Sequence, residues 1–407
     1  MNYYDATKNF RLTNLVSQLK TPTLIRIDVN VPVINGRIVE DSFRLQVYGH
    51  TLELLSEYAG LVVTSHQGRP NKSDFISLKQ HWIVLRKLLP STTDIEFIPA
   101  DKVFTRETKD KIEKLKEREI ILLDNVRMFK EEYNFNPDNS AYIKFFKNIV
   151  KTCVNDAIPT WHRAHTSLMA LPYIAHTFIG VRSTYELKVL NDVLLERGEE
   201  CGIIMGGAKL AKISYLNSIL KRMDGFTGGI PGQLMARVMG YDLGRRNNEF
   251  LEQKLTPGQF EAAGQIARKF NVHYPRDFIV FEDGEKKNVP IDDMKKTSGL
   301  IMDIGEETVE EYALKLQEKT IRIRAGPLGV YERGYSNGIK LTKRIAGNGL
   351  VFIGGDTSQE IVQYGLDKVI LSTGGVVSVS GGSFLHGLAG YPYPSVDLII
   401  SQGNLSR

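Results

Sequence analysis

Leu350-Val-Phe-Ile-Gly354-Gly355-Asp356-Thr357-Ser-Gln-Glu-Ile-Val362 is an apolar run of strand type that turns on two glycines into a helical pattern. Asp356 and Thr357 are helix-capping residue types. Such a turn gathers bare N–H groups and the positive end of a helix dipole at one point, which suits a phosphate. A carboxylate there repels the phosphate unless a cation lies between them, so Asp356 points to magnesium. The same letters also describe an ordinary tight βα turn with a capped helix. The rest of the chain has to decide between the two.

At 407 residues the chain exceeds the ~250–300 at which single cores stop growing, so two domains are expected. Its composition, 42% hydrophobic and 24% charged, is that of a globular protein. A formal charge of +5 suits anionic small molecules and lends nucleic acid no support. Two cysteines, Cys153 and Cys201, cannot build a disulfide framework, which favours a reducing compartment. The opening residues hold no apolar signal core, and no run is long enough to span a bilayer. These features predict a soluble, cytoplasmic protein with no membrane or nucleic-acid partner.

In the first half, Thr23 to Pro32 reads as a strand in which Asp28 and Asn30 alternate with Ile27, Val29 and Val31. Asp41-Ser42 can cap a following helix with Leu45, Tyr48, Leu52, Leu55 and Ala59 on one face. Arg44 falls in its first turn, where the dipole disfavours a cation, so it is either indifferent or needed for an anion outside. Further strand-like runs end in polar residues: Ser65-His66-Gln67-Gly68-Arg69, Asp124-Asn125-Val126-Arg127, and Asn155-Asp156 followed by His162-Arg163-Ala164-His165. Strands alternating with helices imply a doubly wound parallel sheet, whose ligands lie beyond the carboxyl ends of the strands. A lone arginine or histidine after a strand is ordinarily a loop charge or a packed residue. Recurrence at the same topological place on successive strands describes a site for a multiply anionic substrate instead. His66, His162 and His165 have no carboxylate or cysteine at ligand spacing, so no metal is expected there.

Ser183 to Arg197 reads as one amphipathic helix joining two domains. Beyond it the strand ends change from arginine to glycine, at Gly206-Gly207-Ala208-Lys209, Gly228-Gly229, Gly326-Pro327-Leu328-Gly329, Gly354-Gly355 and Gly374-Gly375. Phe278 to Phe281 and Gly299 to Gly305 read as further strands of this half. Glycine admits close approach of a phosphate to the backbone. No P-loop and no Gly-x-Gly-x-x-Gly is present, which argues against both of those nucleotide folds. One polycationic and one glycine-rich α/β domain suit phosphoryl transfer across a cleft that closes to expel water.

From end to end the chain resembles the phosphoglycerate kinase family. Arg26-Ile-Asp-Val-Asn-Val-Pro32, Ser65-His-Gln-Gly-Arg-Pro70, Leu122-Leu-Asp-Asn-Val-Arg127 and Val154-Asn-Asp-Ala-Ile-Pro-Thr-Trp-His-Arg-Ala-His165 each resemble a family motif. Gly206-Gly-Ala-Lys209, Gly326-Pro-Leu-Gly-Val-Tyr-Glu332, Gly354-Gly-Asp-Thr357 and Ser372-Thr-Gly-Gly375 follow in the family's order. The resemblance implies reversible phosphoryl transfer from 1,3-bisphosphoglycerate to ADP, giving 3-phosphoglycerate and MgATP, by a monomer. It implies a phosphoglycerate domain over residues 1–180, an interdomain helix over 181–200, a nucleotide domain over 201–395, and a tail over 396–407 returning to the first domain.

It further implies that Asp28, Asn30, Arg44, His66, Gln67, Gly68, Arg69, Arg127 and Arg163 hold the phosphoglycerate. Arg44 and Lys209 would neutralise the transferring phosphoryl group, with Gly354, Gly355 and Gly375 offering N–H groups. Gly207, Lys212, Gly329, Glu332, Asp356 and Thr357 would hold the nucleotide, Asp356 through Mg2+. Departures gather in the second half: one residue fewer between Lys209 and Lys212, Ala325 for an asparagine, Ile301 and Ile353 for glycines, and Val376-Val377 for Gly-Ala. They leave nucleotide preference and the role of Lys212 open. They also leave two alternatives, a catalytically weak phosphoglycerate-binding relative and a kinase of the same fold for another acid.

Overall fold

The computed structural model describes residues 2–195, 200–207, 213–354 and 356–405. The chain divides into two units, Met1–Asn191 with Tyr391–Arg407, and Asp192–Gly390. The point of division lies within one helix, Val181–Leu195.

The first unit contains β1 (Thr23–Arg26), the short pair β2 (Val33–Ile34) and β3 (Arg37–Ile38), then β4 (Leu61–Thr64), β5 (Asp94–Ile98), β6 (Glu119–Leu123), β7 (Thr152–Asn155) and β8 (Thr177–Ile179). Six of these form a sheet in the order β5-β6-β4-β1-β7-β8, every pairing parallel. Strands β1, β4 and β7 are buried at every residue, as a parallel sheet covered on both faces requires. Leu24, Val62, Ile121, Phe146, Cys153 and Leu171 belong to one packed core. The chain winds from β1 through β4 to β5 and β6, then crosses to β7 and β8 on the far side of β1. That reversal sets the carboxyl end of β1 between those of β4 and β7, at a topological switch point.

The pairing of β1 stops at Arg26, six residues short of the strand expected from the sequence. Ile27 N still donates to Thr64 O at 3.1 Å, and from there on side chains replace the neighbouring backbone. Ser65 Oγ accepts from Val29 N at 2.9 Å and donates to Ile27 O at 3.0 Å. Gln67 Oε1 accepts from Val31 N and its Nε2 donates to Val31 O, both at 3.0 Å. Asp28 and Asn30 thus lie past the carboxyl end of the paired strand. The C-terminal segment also packs on this unit: Tyr3 Oη donates to Asp397 Oδ1 at 2.7 Å, and Asn155 Nδ2 to Ser395 Oγ at 3.3 Å.

The second unit contains β9 (Cys201–Met205), β10 (Asp224–Thr227), β11 (Val272–His273), β12 (Asp277–Glu282), β13 (Glu285–Pro290), β14 (Leu300–Ile304), β15 (Ile321–Ala325), β16 (Leu350–Ile353) and β17 (Val376–Ser378). Its parallel sheet runs β11-β10-β9-β15-β16-β17, again wound both ways from its middle. The runs at Phe278 and Gly299 are not members of it. They form a separate antiparallel sheet, β13-β12-β14. The cause is local: Glu282 pairs with Glu285 around Asp283 and Gly284, both at positive φ (54° and 83°), the two-residue turn that closes a hairpin. An Asp-Gly pair between apolar runs is a hairpin signal in its own right.

Candidate functional site

Beyond the carboxyl ends of β1, β4, β6 and β7 the sequence-predicted polar residues converge. Asp28 is buried; its Oδ1 accepts from Asn30 N at 2.9 Å and lies 3.5 Å from Arg44 Nη1. Arg44 Nη1 also donates to Asn30 O at 2.5 Å. The Arg44 cation in the first turn of helix Phe43–Ser56 is buried, with the Asp28 carboxylate and the Asn30 carbonyl as neighbours. Asn30 Oδ1 takes the N–H of Gly68 at 2.7 Å.

Gln67 and Gly68 stand apart from the rest of the expected binding set. Both ends of the Gln67 amide are used by Val31, and Oε1 also faces His81 Nε2 at 3.0 Å, so Gln67 is scaffold. Gly68 has φ 65°, and a Cβ there would lie 2.2 Å from Asp74 O. Its glycine is demanded by the turn.

His66 is buried, and burial followed by the charges of Arg127, Arg26, Arg163 and Arg44 holds its pKa well below the ordinary imidazole value. The ring is therefore neutral. Beneath it lies Arg26, 0% exposed, with Nε on Ser167 Oγ at 2.9 Å and Nη2 3.1 Å from His66 Nδ1. Ser167 in turn donates from N and Oγ to the buried Glu132 carboxylate at 2.9 and 2.8 Å. Burial raises the Glu132 pKa and the Arg26 charge opposes that rise.

Arg69, Pro70, Arg127, Tyr133, Arg163 and His165 line a cavity of about 400 Å³. Arg127 is 5% exposed, and its Nη1 donates to Gly68 O. Its Nε and Nη2 are buried and have no hydrogen-bond partner among the described residues. Burial, then Arg163, pulls its pKa down to about 10, and burial, then Arg69, lowers that of Arg163. Both remain charged at neutral pH, so cations are crowded together with donors to spare. An anion of several charges relieves that crowding and fills those donors.

Sequence reading missed Arg26, Glu132, Tyr133 and His165 as members of this site. Arg26 carried a signal, since it shares the two-residue alternation of Asp28 and Asn30. Glu132 and Tyr133 arrive from a 3-10 turn, Lys130–Tyr133, which has no periodic pattern to read. Glu132 also supplies a carboxylate that spacing did not show, 3.6 Å from His165 Nδ1. Among the described residues, no group of three His, Cys, Asp or Glu could hold a metal ion.

In the second unit Lys209, Lys212 and Gly355 lie outside the described residues, as do the side chains of Asp356 and Thr357. Asp356 begins helix Asp356–Gln363 directly beyond the end of β16, where the sequence predicts a helix N-terminus. Gly207 donates its N–H to Pro327 O, and Glu332 is exposed in a 3-10 turn. The expected N–H groups of Gly354 and Gly375 are already engaged: Gly354 N donates to Ser378 O and Gly375 N to Ile370 O, each at 2.8 Å. A Cβ at Gly354 would lie 2.1 Å from Ser378 O, and one at Gly329 would lie 2.2 Å from Asp303 Cγ. Close packing of protein on protein accounts for both glycines.

A family model described as phosphoglycerate kinase matches residues 16–391. The phosphoglycerate kinase of Pyrococcus horikoshii is 30% identical over 404 residues, covering 95% of this chain and 96% of its own. That of Sulfolobus acidocaldarius is 31% identical over 397 residues, 92% of each chain. The crystal structure of the Pyrococcus horikoshii enzyme matches with a TM-score of 0.87 at 28% identity, over 97% of this chain and 99% of that one.

Proposed function

Because the chain belongs to the phosphoglycerate kinase family and is a phosphotransferase, we propose that its first unit holds phosphoglycerate and its second the adenine nucleotide. The reaction is reversible transfer of a phosphoryl group from 1,3-bisphosphoglycerate to ADP. One observation carries the assignment of the first unit: Arg127 is buried among like charges, its Nε and Nη2 without a hydrogen-bond partner among the described residues, beside Arg69 and Arg163. A phosphate monoester supplies the missing acceptors and the missing negative charge.

In this reading Arg69, Arg127 and Arg163 bind the phosphate end. Asp28 and Asn30 orient Arg44, and neutral His66 contributes a hydrogen-bond donor without adding charge. Arg44 and Lys209 offset negative charge on the transferring group. The acceptor oxygen is already anionic in either direction, so no general base is needed and catalysis is positioning plus charge neutralisation. Gly207, Lys212, Gly329, Glu332 and Thr357 are assigned to the nucleotide by the same reading.

Magnesium enters as part of the nucleotide substrate. Asp356, at the head of its helix, suits an ion that takes one or two carboxylates and fills its other positions with phosphate and water. Transfer excludes water, so closure about the helix joining the units belongs to the same proposal, as does a monomer working in the cytoplasm. No described helix is long and apolar enough to cross a membrane.

The test is MgATP-dependent phosphorylation of 3-phosphoglycerate, coupled to a reductive step, for the parent chain and Arg44→Ala. Turnover that falls by ~10²–10³ in the variant supports the role of Arg44. Undiminished turnover removes that role. A parent that turns over no nucleotide yet binds 3-phosphoglycerate overturns the reaction.

A further inference from the structure

Arg324 and Glu360 form an ion pair in the interior of the second unit, their side chains 0% and 1% exposed. Arg324 Nη2 donates to Glu360 Oε1 at 3.0 Å and Oε2 at 3.2 Å, and Nη1 donates to the carbonyl of Gly326. Arg324 lies near the end of β15, and Glu360 on helix Asp356–Gln363. Gly338, in helix Asn337–Arg344, passes so close that a Cβ would lie 3.2 Å from Arg324 Nη2 and 3.3 Å from Glu360 Oε1. Alongside, buried Asp303 accepts from Asn337 N at 2.8 Å and occupies the space that a Gly329 side chain would need. The end of β15, the turn Gly326–Gly329 and two helices therefore meet at one pair of charges.

Stability alone is a poor reason for such a pair. Desolvating two charges cancels most of their attraction, and an apolar pair of similar volume is often as stable or more so. Arg324 Nε, moreover, is buried without a partner among the described residues. What a guanidinium fork supplies and an apolar pair lacks is direction. Gly326 sits at φ 90°, and its carbonyl is turned down onto Arg324 while the next carbonyl, Pro327 O, is taken by Gly207 N. The peptide planes of the turn are thus set from below.

We propose that Arg324 and Glu360 are positioning residues that hold the turn Gly326–Gly329 and the helix Asp356–Gln363 in the geometry the nucleotide needs. The proposal rests on the nucleotide reading of this unit. Neither side chain touches the nucleotide; each acts through the backbone it orients.

The test compares the parent with Glu360→Gln, Arg324→Lys and the double variant Arg324→Met/Glu360→Leu. It records Tm, kcat and separate KM values for MgATP and 3-phosphoglycerate. Glu360→Gln is expected to raise KM for MgATP by about tenfold, with KM for 3-phosphoglycerate changed less than about twofold. The double variant is expected to recover the parent's Tm while keeping the raised nucleotide KM, a split that a purely structural pair does not produce. Recovered Tm together with the parent's nucleotide KM overturns the proposal, as does an equal rise in both KM values. Should the double variant not fold, Arg324→Lys, which keeps the charge and loses the fork, decides by the two KM values: a rise for MgATP alone supports the proposal, and no rise or an equal rise in both overturns it. Failure of the nucleotide reading is distinct, because there the parent itself shows no saturation with MgATP or MgADP.

Discussion

Arg26 Nη2 lies 3.1 Å from His66 Nδ1, and since a guanidinium only donates, Nδ1 is the acceptor and the imidazole proton sits on Nε2. A fully buried arginine in the last position of a central strand thus selects the tautomer of a histidine on the next strand's loop. Asp28 Oδ1 lies 3.8 Å from the same Nδ1, too far for a hydrogen bond. With burial and then four arginines lowering its pKa, His66 is expected to stay neutral through the range in which an ordinary imidazole takes up its proton. Nitrogen-detected NMR of the imidazole checks this: one unprotonated Nδ1 and one protonated Nε2, unchanged across the range. A titration near the ordinary histidine value would refute it.

Tyr133 lines the arginine cavity, its ring edge-on to His165 at 5.3 Å. Burial raises its pKa, so it carries a phenolic proton at neutral pH. Under the proposed function it donates that proton in a hydrogen bond to the substrate phosphate. Tyr133→Phe is expected to raise KM for 3-phosphoglycerate about tenfold at unchanged kcat, the loss of one hydrogen bond to a charged group. Steady-state kinetics decide it, and an unchanged KM removes Tyr133 from the binding set.

Gly354 answers to the sheet. Alanine there would set its Cβ 2.1 Å from the Ser378 carbonyl, a backbone atom that cannot swing away. Gly354→Ala is expected to cost on the order of 2–4 kcal/mol, read as a lower urea midpoint. A shift below about 0.5 kcal/mol would show that the β16–β17 contact adjusts freely.

His81, 0% exposed and facing Gln67, has its pKa pulled down to about 4 by burial. Between ~6.5 and that value the unfolded chain binds a proton that the folded chain refuses, so stability rises with pH across this window and is lost as pH falls. The loss amounts to roughly 3 kcal/mol below the window. Denaturant unfolding at several pH values should show His81→Gln, which does not titrate, with a shallower acid slope than the parent. Equal slopes would exclude His81 as the cause.

Much is legible in the chain itself wherever physics is local. Buried parallel strands need unbroken apolar runs, so Leu24, Val62, Ile121 and Val351 announce their sheets. Strand ends in a doubly wound sheet share one edge, so Asp28, His66, Arg127 and Arg163 group together from the order of residues alone. The hairpin at Asp283-Gly284 is equally local, although its strands read like the others because four apolar residues look alike in either sheet.

Tertiary structure alone decided which of these residues have donors or acceptors left over. Gln67 and Gly354 sit in motifs of the same kind as that of Arg127, yet the amide of Gln67 is taken by Val31 and the N–H of Gly354 by Ser378. Arg127 keeps two nitrogens unpaired among the described residues. Spacing along a chain states which groups can be brought to one edge. Whether a polar atom there is spent on the fold or remains for a ligand depends on neighbours far away in sequence, and those exist only once the chain has folded.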